Sequence, residues 1–344
     1  MKKIVFFMLM VLAALALWAQ ELDESEVQGG EVTASKEAGP AKSGPDFSHS
    51  ITGIISTLPE AKAQYAMNWK FPFMQGSNPL TSGNNVKLTF MPEVAPVFLY
   101  LNADAAFTPI AFLVVNVGGM VGTGWNIKLF GSDLYGMGVN PPVGEIGKGF
   151  DGVFLTGRVS GTFQMDMGAV IPGDWNHILF QSKHEINYAY YSAAGPTDAW
   201  YKEADQGENV NGFNYYGNIT LGYQMPLFLK MVAFQVEFDK YLNKKSLGDA
   251  RKDWGDDLTR WTFGPILQFN FKGFESFNGV IATQFRSMRY DTDNVRYNDY
   301  SKKEKDGSWK IHAHKYYRDR TLRSVNPLEI EFYRVAFILS FGLK

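Results

Sequence analysis

The sequence predicts an all-β fold, a transmembrane antiparallel up-and-down β-barrel of about 10 strands. Three observations predict it: an apolar N-terminal segment typical of exported proteins, long stretches in which apolar and polar residues alternate with period two, and connections that alternate between short and long. Such alternation gives a strand one apolar and one polar face, and a closed barrel can turn the apolar face towards lipid.

The first 19 residues have the layout of a secretory signal peptide. Lys2 and Lys3 precede an uninterrupted apolar run from Ile4 to Trp18, and the chain turns polar at Gln20. The run is shorter than the roughly 20 residues that a membrane-spanning helix needs. We therefore predict a signal peptide over residues 1–19, cleaved after Ala19. The chain contains no cysteine, so neither a lipid anchor nor disulfide bonds are expected.

Residues 20–46 are predicted to be an acidic flexible linker that precedes a barrel over residues 47–344. The segment holds seven acidic residues against two lysines and few large apolar side chains. Without the signal peptide, which takes two of the 33 basic residues with it, 31 basic residues face 35 acidic ones, and the net charge is −4. This balance gives no reason to expect nucleic acid as a partner.

Residues 153–169 show the period-two pattern most clearly. Their apolar row is Val153, Leu155, Val159, Phe163, Met165, Met167 and Ala169, and their polar row is Thr156, Arg158, Ser160, Thr162, Gln164 and Asp166. Similar rows recur further along the chain. Together they predict ten strands, near 62–73, 85–107, 110–130, 153–169, 178–190, 219–227, 232–239, 261–271, 277–291 and 328–344. Pro92 and Pro96 suggest a bulge or a break within the second of these.

The predicted connections alternate between short and long, as expected for a chain that runs up and down across a bilayer. Short turns fall near Pro109, at 172–175, near Lys230 and at 273–275. Long loops fall at 74–84, 131–149, 193–212, 242–258 and 292–327. The ten-strand scheme therefore places the five long loops at one end of the barrel, and both termini with the short turns at the other.

The final predicted strand carries an apolar and aromatic row on one face, namely Tyr333, Val335, Phe337, Leu339, Phe341 and Leu343. In this row the chain resembles bacterial outer-membrane barrel proteins, although it ends on Leu343-Lys344 instead of an aromatic residue. The signal peptide and this ending look more like spirochaetal barrels. The resemblance implies an outer-membrane location, contact with outer-membrane lipid, assembly by the barrel-assembly machinery through the C-terminal strand, periplasmic termini and extracellular long loops.

The polar rows supply the candidate functional residues. We predict that seven charged side chains face the lumen, namely Arg158, Asp166, Lys183, Glu185, Glu237, Asp239 and Arg286. A four-residue loop at 172–175 would set Asp166 opposite Gln181 and diagonal to Lys183. The charges can be interpreted as a ladder for a polar solute or as salt bridges that close a narrow lumen. A wide general pore is not expected of so few strands.

Familiar catalytic patterns are missing from the sequence. His184-Glu185 begins a zinc-protease pattern, but Tyr188 takes the place of the second histidine and the segment is a predicted strand. No Gly-x-Ser-x-Gly, P-loop or Gly-x-Gly-x-x-Gly pattern occurs. His312 and His314 would project from one face of a strand, yet no further ligand lies nearby in sequence. We expect no enzyme, no cofactor and no metal site.

The longest predicted loop, 292–327, is basic and is predicted to contain a hairpin at Asp306-Gly307. Its candidate surface residues are Lys302, Lys303, Lys305, Lys310, Lys315, Arg318, Arg320 and Arg323. Two functions follow from these patterns. The protein is either a narrow channel for small polar solutes or a non-conducting surface barrel whose loops bind host or matrix molecules.

Overall fold

A computed structural model describes residues 44–57, 60–129, 132–139, 150–195, 200–202, 209–242, 259–271, 276–287, 295–303, 309–318 and 330–343. The predicted signal peptide and most of the predicted linker lie outside these residues. No helix in the described ranges is long and apolar enough to span a membrane.

Twelve of the described strands form one closed antiparallel barrel. They are β1 (Asp46–Ser56), β2 (Glu60–Pro72), β3 (Asn85–Ala95), β4 (Phe98–Ile110), β5 (Leu113–Gly124), β9 (Phe154–Asp166), β10 (His177–Tyr191), β12 (Gly212–Gln224), β13 (Leu229–Tyr241), β14 (Arg260–Asn270), β15 (Phe277–Ser287) and β18 (Ile330–Leu343). Each pairs with the next along the chain, and β1 pairs with β18 from His49–Leu343 to Ser56–Ala336, which closes the barrel.

Six further strands lie in the connections and form three two-stranded sheets. They are β6 (Asn126–Leu129) with β7 (Ser132–Tyr135), β8 (Met137–Val139) with β11 (Trp200–Lys202), and β16 (Val295–Lys303) with β17 (Trp309–Arg318). The last of these is the predicted hairpin around Asp306-Gly307, although its turn falls outside the described residues. A short 3₁₀ helix, Met167–Ala169, follows β9.

The prediction of ten strands was wrong by two, for two separate reasons. The first is β1, which begins at Asp46 where the linker was expected to end, and whose adjacent Ile54 and Ile55 break the alternation. The second is the stretch 85–107, which is two strands, β3 and β4, joined at Pro96-Val97. The break that Pro96 suggested is therefore this turn, whereas Pro92 lies within β3. Without glycine, asparagine or aspartate at the turn, the pattern did not distinguish a hairpin from a bulge in one long strand.

The additional strand β1 also places one predicted long loop, 74–84, at the opposite end of the barrel from the one expected. The start of β1, the end of β18 and the connections 73–84, 111–112, 167–176, 225–228 and 271–276 share one end of the barrel, which we call the terminus end. The prediction that 74–84 shares an end with the other long loops was therefore wrong, and the Ala111 amide donates to the Leu80 carbonyl there at 2.9 Å. The other four long loops lie at the opposite end, the loop end.

The barrel is apolar outside and polar inside, the reverse of a water-soluble β-sandwich. On β9, Leu155 and Val159 are 45% and 54% exposed, whereas Ser160 is 5% exposed. The same alternation buries polar side chains on many strands, among them Ser50, Glu60, Asn68, Glu93, Asn102, Asp166, Glu185, Thr220, Gln268, Arg286 and Ser340. An apolar outer wall around a polar interior is the architecture of transmembrane β-barrels.

Candidate functional site in the barrel interior

A row of three residues shows how the inner wall is built. Asp104 on β4 pairs with Gly118 on β5, which in turn pairs with Arg158 on β9. A side chain at Gly118 would collide with the Asp104 carboxylate. Because glycine occupies this position, Arg158 reaches over β5, donates from Nε to Asp104 Oδ1 at 3.0 Å and forms an ion pair with the same carboxylate.

A second cluster of charges joins β2, β3 and β18. Lys62 Nζ lies 3.1 Å from Glu60 Oε1 and 3.7 Å from Glu93 Oε1. Arg334 reaches across β1, donating from Nη1 to Glu60 Oε2 at 2.6 Å and from Nε to Gln284 Oε1 at 2.7 Å. Glu60 and Glu93 are buried, so these cations, and not water, stabilise the charges of the two carboxylates.

The predicted residues of β10 and β13 also form pairs along the wall. Lys183 Nζ lies 2.7 Å from Glu185 Oε2 and 5.7 Å from the centre of the Tyr216 ring. Asp239 Oδ1 accepts from Arg260 Nε at 2.9 Å. Side chains two apart on one strand share a face, which is why Lys183 and Glu185 meet.

Arg286 and Glu237 complete the set of predicted residues. The Arg286 side chain is buried, donates from Nη2 to Glu331 Oε1 at 3.0 Å and lies 4.2 Å from the centre of the Tyr333 ring. Glu237 Oε1 accepts from Gln284 Nε2 at 3.4 Å, a contact that spans β14. Gln284 thereby links Glu237 to Arg334, since its own oxygen accepts from that guanidinium.

Asp166 is on the same inner face, but its predicted pairing was wrong. It pairs with Leu179, not Gln181, and its Oδ2 lies 2.8 Å from His177 Nδ1. The chain leaves β9 through the 3₁₀ helix 167–169, so the connection is ten residues long (167–176) instead of four. The longer connection moves the register by two residues and leaves Asp166 and Lys183 apart.

Several interior charges were not among the predicted residues, although the sequence carried a signal for some of them. On β2, the polar residues Glu60, Lys62, Gln64, Asn68 and Lys70 recur every second or fourth position. That is the pattern used elsewhere in the chain. The missed inner-wall charges are Glu60, Lys62, Lys70, Lys87, Glu93, Asp104, Arg260, Glu331 and Arg334.

Two of the long loops fold into the barrel mouth at the loop end. Strand β8, from the connection after β5, pairs with β11, from the connection after β10, through Val139–Trp200, Gly138–Tyr201 and Met137–Lys202. We call this pair of strands the ribbon. A side chain at Gly138 would collide with the Tyr201 ring, so the close approach of the two strands requires glycine at this position.

The ribbon is fixed to the inner wall by an aromatic core. Trp200 is 1% exposed, with its ring centre 5.5 Å from that of Phe154 and 5.6 Å from that of Tyr191. The Asn211 side chain holds this corner, since Oδ1 accepts from Trp200 Nε1 at 3.1 Å and from the Tyr191 amide at 2.8 Å. The remaining members of the core are Ala95, Phe98, Tyr100, Met137 and Ala194.

Lys202 extends from the ribbon towards the interior. Its Nζ lies 4.8 Å from the ring centres of both Tyr100 and Phe154. Those two rings meet across Gly122, just as Asp104 and Arg158 meet across Gly118. The ribbon therefore narrows one side of the mouth at the loop end, and it carries the cationic side chain of Lys202 there.

The basic candidates of the last loop are described only in part. Lys302 and Lys303 lie in β16, and Lys310, Lys315 and Arg318 lie in β17, where the backbone alone is described. Lys305, Arg320 and Arg323 lie outside the described residues. The side chains of His312 and His314 are likewise not described, and the described residues contain no cluster of three potential metal ligands.

Comparison with known proteins finds similarity only among solved structures, since no family model and no curated protein sequence matches. A KdgM porin aligns over 86% of this chain and 98% of its own, with 7% identity and a TM-score of 0.36. The NanC porin aligns over 86% and 99%, with 8% identity and a TM-score of 0.37. OccK2 (OpdF) of Pseudomonas aeruginosa aligns over 87% and 98%, with 9% identity and a TM-score of 0.27.

These neighbours belong to the class that the sequence resembles, the bacterial outer-membrane barrels. The spirochaetal type stays a prediction.

Proposed function

We propose that the protein is a bacterial outer-membrane channel for small polar solutes. One observation carries the proposal: among the described residues, every interior ion pair joins side chains of one strand, of adjacent strands or of strands one apart. The pairs therefore lie along the wall, and none of them bridges opposite walls. This favours an open, polar lumen over one closed by salt bridges.

Barrel size supports the same proposal. Barrel diameter grows roughly linearly with strand number; about 8 strands leave an interior filled by side chains, and about 16 leave an aqueous channel. A barrel of twelve strands lies between these cases, and it is wider than the ten-stranded barrel expected from the sequence. The ribbon occupies part of one mouth, so we infer passage of small solutes instead of large ones.

Single-channel recording in planar bilayers tests the proposal. We expect the refolded protein to give discrete conductance steps, and liposomes that contain it to swell in small sugars but not in large ones. Folding is checked independently by heat-modifiable migration on gels and by β-type circular dichroism. A correctly folded barrel that gives no steps and no swelling would contradict the channel.

The alternative of a non-conducting surface barrel depends on the basic loop 292–327. Much of that loop lies outside the described residues, and only the backbone of β16 and β17 is known. Binding to host or matrix molecules therefore stays a prediction from the sequence. The same holds for the cleaved signal peptide and for contact between the C-terminal strand and the assembly machinery.

A further inference from the structure

Two lysines face each other on the inner wall near the terminus end. Lys70 on β2 and Lys87 on β3 are register partners. Lys70 alternates with Trp69 and Phe71, and Lys87 with Leu88, all of which are exposed on the outer surface. Both ammonium groups therefore belong to the polar inner face.

These two lysines differ from the other inward-facing cations on the barrel strands. Among the described residues, no ion pair joins either ammonium to a carboxylate. Asp46 on β1 is the other register partner of Lys70. The remaining cations of the described inner wall all have a carboxylate partner, namely Lys62, Arg158, His177, Lys183, Arg260, Arg286 and Arg334.

The acid that approaches Lys87 from the next strand is already engaged. The register partner of Lys87 on β4 is Ala106, and Asp104 lies two residues before it, further from the terminus end. Asp104 already forms an ion pair with Arg158. Like charges directly opposite each other on a sheet are destabilising. An anion between the two ammonium groups would remove that repulsion.

Polar groups next to the lysines offer further hydrogen-bonding capacity. Asn68 and Thr89 form the neighbouring row on the inner face, with the Thr89 hydroxyl donating to Asn68 Oδ1 at 2.8 Å. Asn85, two residues before Lys87, donates from Nδ2 to the Gly83 carbonyl at 2.8 Å. The lysines thus stand in a polar strip of the wall and not on an apolar surface.

We propose that Lys70 and Lys87 form a binding site for a small oxyanion, carboxylate or phosphate, at the terminus end of the lumen. This inference rests on the proposed channel function and assigns a charge class to one of its solutes. Two ammonium groups supply the charge-assisted hydrogen bonds that an oxyanion needs.

Inorganic phosphate is the probe, in bilayers of uncharged lipid so that no headgroup supplies competing charge. Phosphate should reduce the chloride current of the wild-type channel in a concentration-dependent way. Lys70→Gln and Lys87→Gln should each weaken this block by about tenfold, the effect of losing one charge-assisted hydrogen bond. Both variants remove repulsion, so we expect them to fold at least as well as the wild type, which heat-modifiable migration verifies.

Lys183→Gln is the matched control, because it also removes one lumen cation but one that Glu185 already neutralises. Because this change leaves the buried Glu185 without its cation, heat-modifiable migration verifies that the control is folded before its block is measured. Phosphate block should survive in this variant. Equal loss of block in Lys183→Gln would overturn the site, since block would then follow overall lumen charge. A wild-type channel that conducts without phosphate block would overturn the site and leave the channel intact. If the folded protein never conducts, lysine-dependent broadening of the ³¹P resonance would uphold the site while the channel function fails.

Discussion

At the residue scale, the interior depends on positions that have no side chain. Gly118 and Gly122 lie four residues apart on the inner face of β5. Each lets a side chain of β4 contact a side chain of β9 across β5. The first makes room for the ion pair of Asp104 with Arg158, and the second for the rings that support the ribbon. Glycine is required at both positions because a side chain would collide with its neighbours, and not because the backbone adopts a positive φ.

Replacing Gly118 with alanine should therefore destabilise the barrel. The added methyl group would displace the Asp104 carboxylate and separate two partly buried charges, which we expect to cost about 2 kcal/mol. Gly157→Ala is the control, because nothing lies near a side chain at that position. Urea unfolding in detergent, followed by circular dichroism, compares the two variants, and equal stability would count against the role given to Gly118.

On the outer wall, one polar cluster faces the lipid side. His184 lies 2.7 Å through Nδ1 from the Tyr215 hydroxyl and 3.0 Å through Nε2 from the Ser182 hydroxyl, so both ring nitrogens have partners. Tyr215→Phe leaves one nitrogen without its partner and should cost about 1 kcal/mol of unfolding free energy. Tyr188→Phe, at another exposed outer tyrosine, should be neutral in the same measurement. A Tyr215→Phe barrel as stable as Tyr188→Phe would show that the hydrogen bond contributes nothing.

At the element scale, the ribbon was the part of the site that the sequence did not predict. Its strands have three residues each and lie within loops assigned as surface segments, 131–149 and 193–212. Three residues carry no detectable periodicity, and β8 and β11 are about 60 residues apart in the chain. The long strands β9, β10 and β13 were predicted well, because apolar and polar side chains alternate along most of their length.

Trp200→Ala should release the ribbon from the wall and enlarge the mouth. The indole fills the aromatic core and makes one hydrogen bond to Asn211, and a buried tryptophan truncated to alanine typically costs about 3 to 5 kcal/mol. We expect higher or noisier single-channel conductance with the barrel still folded. Trp175→Ala, at an exposed residue of the terminus end, is the control and should conduct like the wild type. An unchanged conductance in Trp200→Ala would mean that the ribbon does not limit flow.

The ribbon should also respond to alkaline pH through Tyr201. Burial raises the pKa of this phenol from 10.0 to about 12, although the Asn126 side chain 3.0 Å away lowers it in part. Since the folded pKa lies above the unfolded one, the stabilising contribution is complete below pH 10 and is lost as the pH rises through 12. The difference in phenolate absorbance between wild type and Tyr201→Phe measures this directly. A midpoint near the ordinary value would contradict the burial.

At the scale of the whole molecule, the topology predicts orientation. If both termini are periplasmic, the connection 73–84 is periplasmic too, and the ribbon faces the outside of the cell. The chain has no cysteine, so single-cysteine variants are clean reporters. In intact cells, a membrane-impermeant maleimide should label Ala193→Cys but not Ser77→Cys, and permeabilised cells should label both. Labelling of Ser77→Cys alone would invert the orientation.

The pairing of β1 with β18 joins residues nearly 300 positions apart, since His49 is opposite Leu343. Until the last strand is in place, β1 and β15 each present a free edge, and free edges recruit other strands. Contacts this distant in sequence are also slow to form. The newly made chain must therefore be kept from associating with its neighbours until its final residues arrive, and a chain shortened at the C terminus would lose partners on two strands at once.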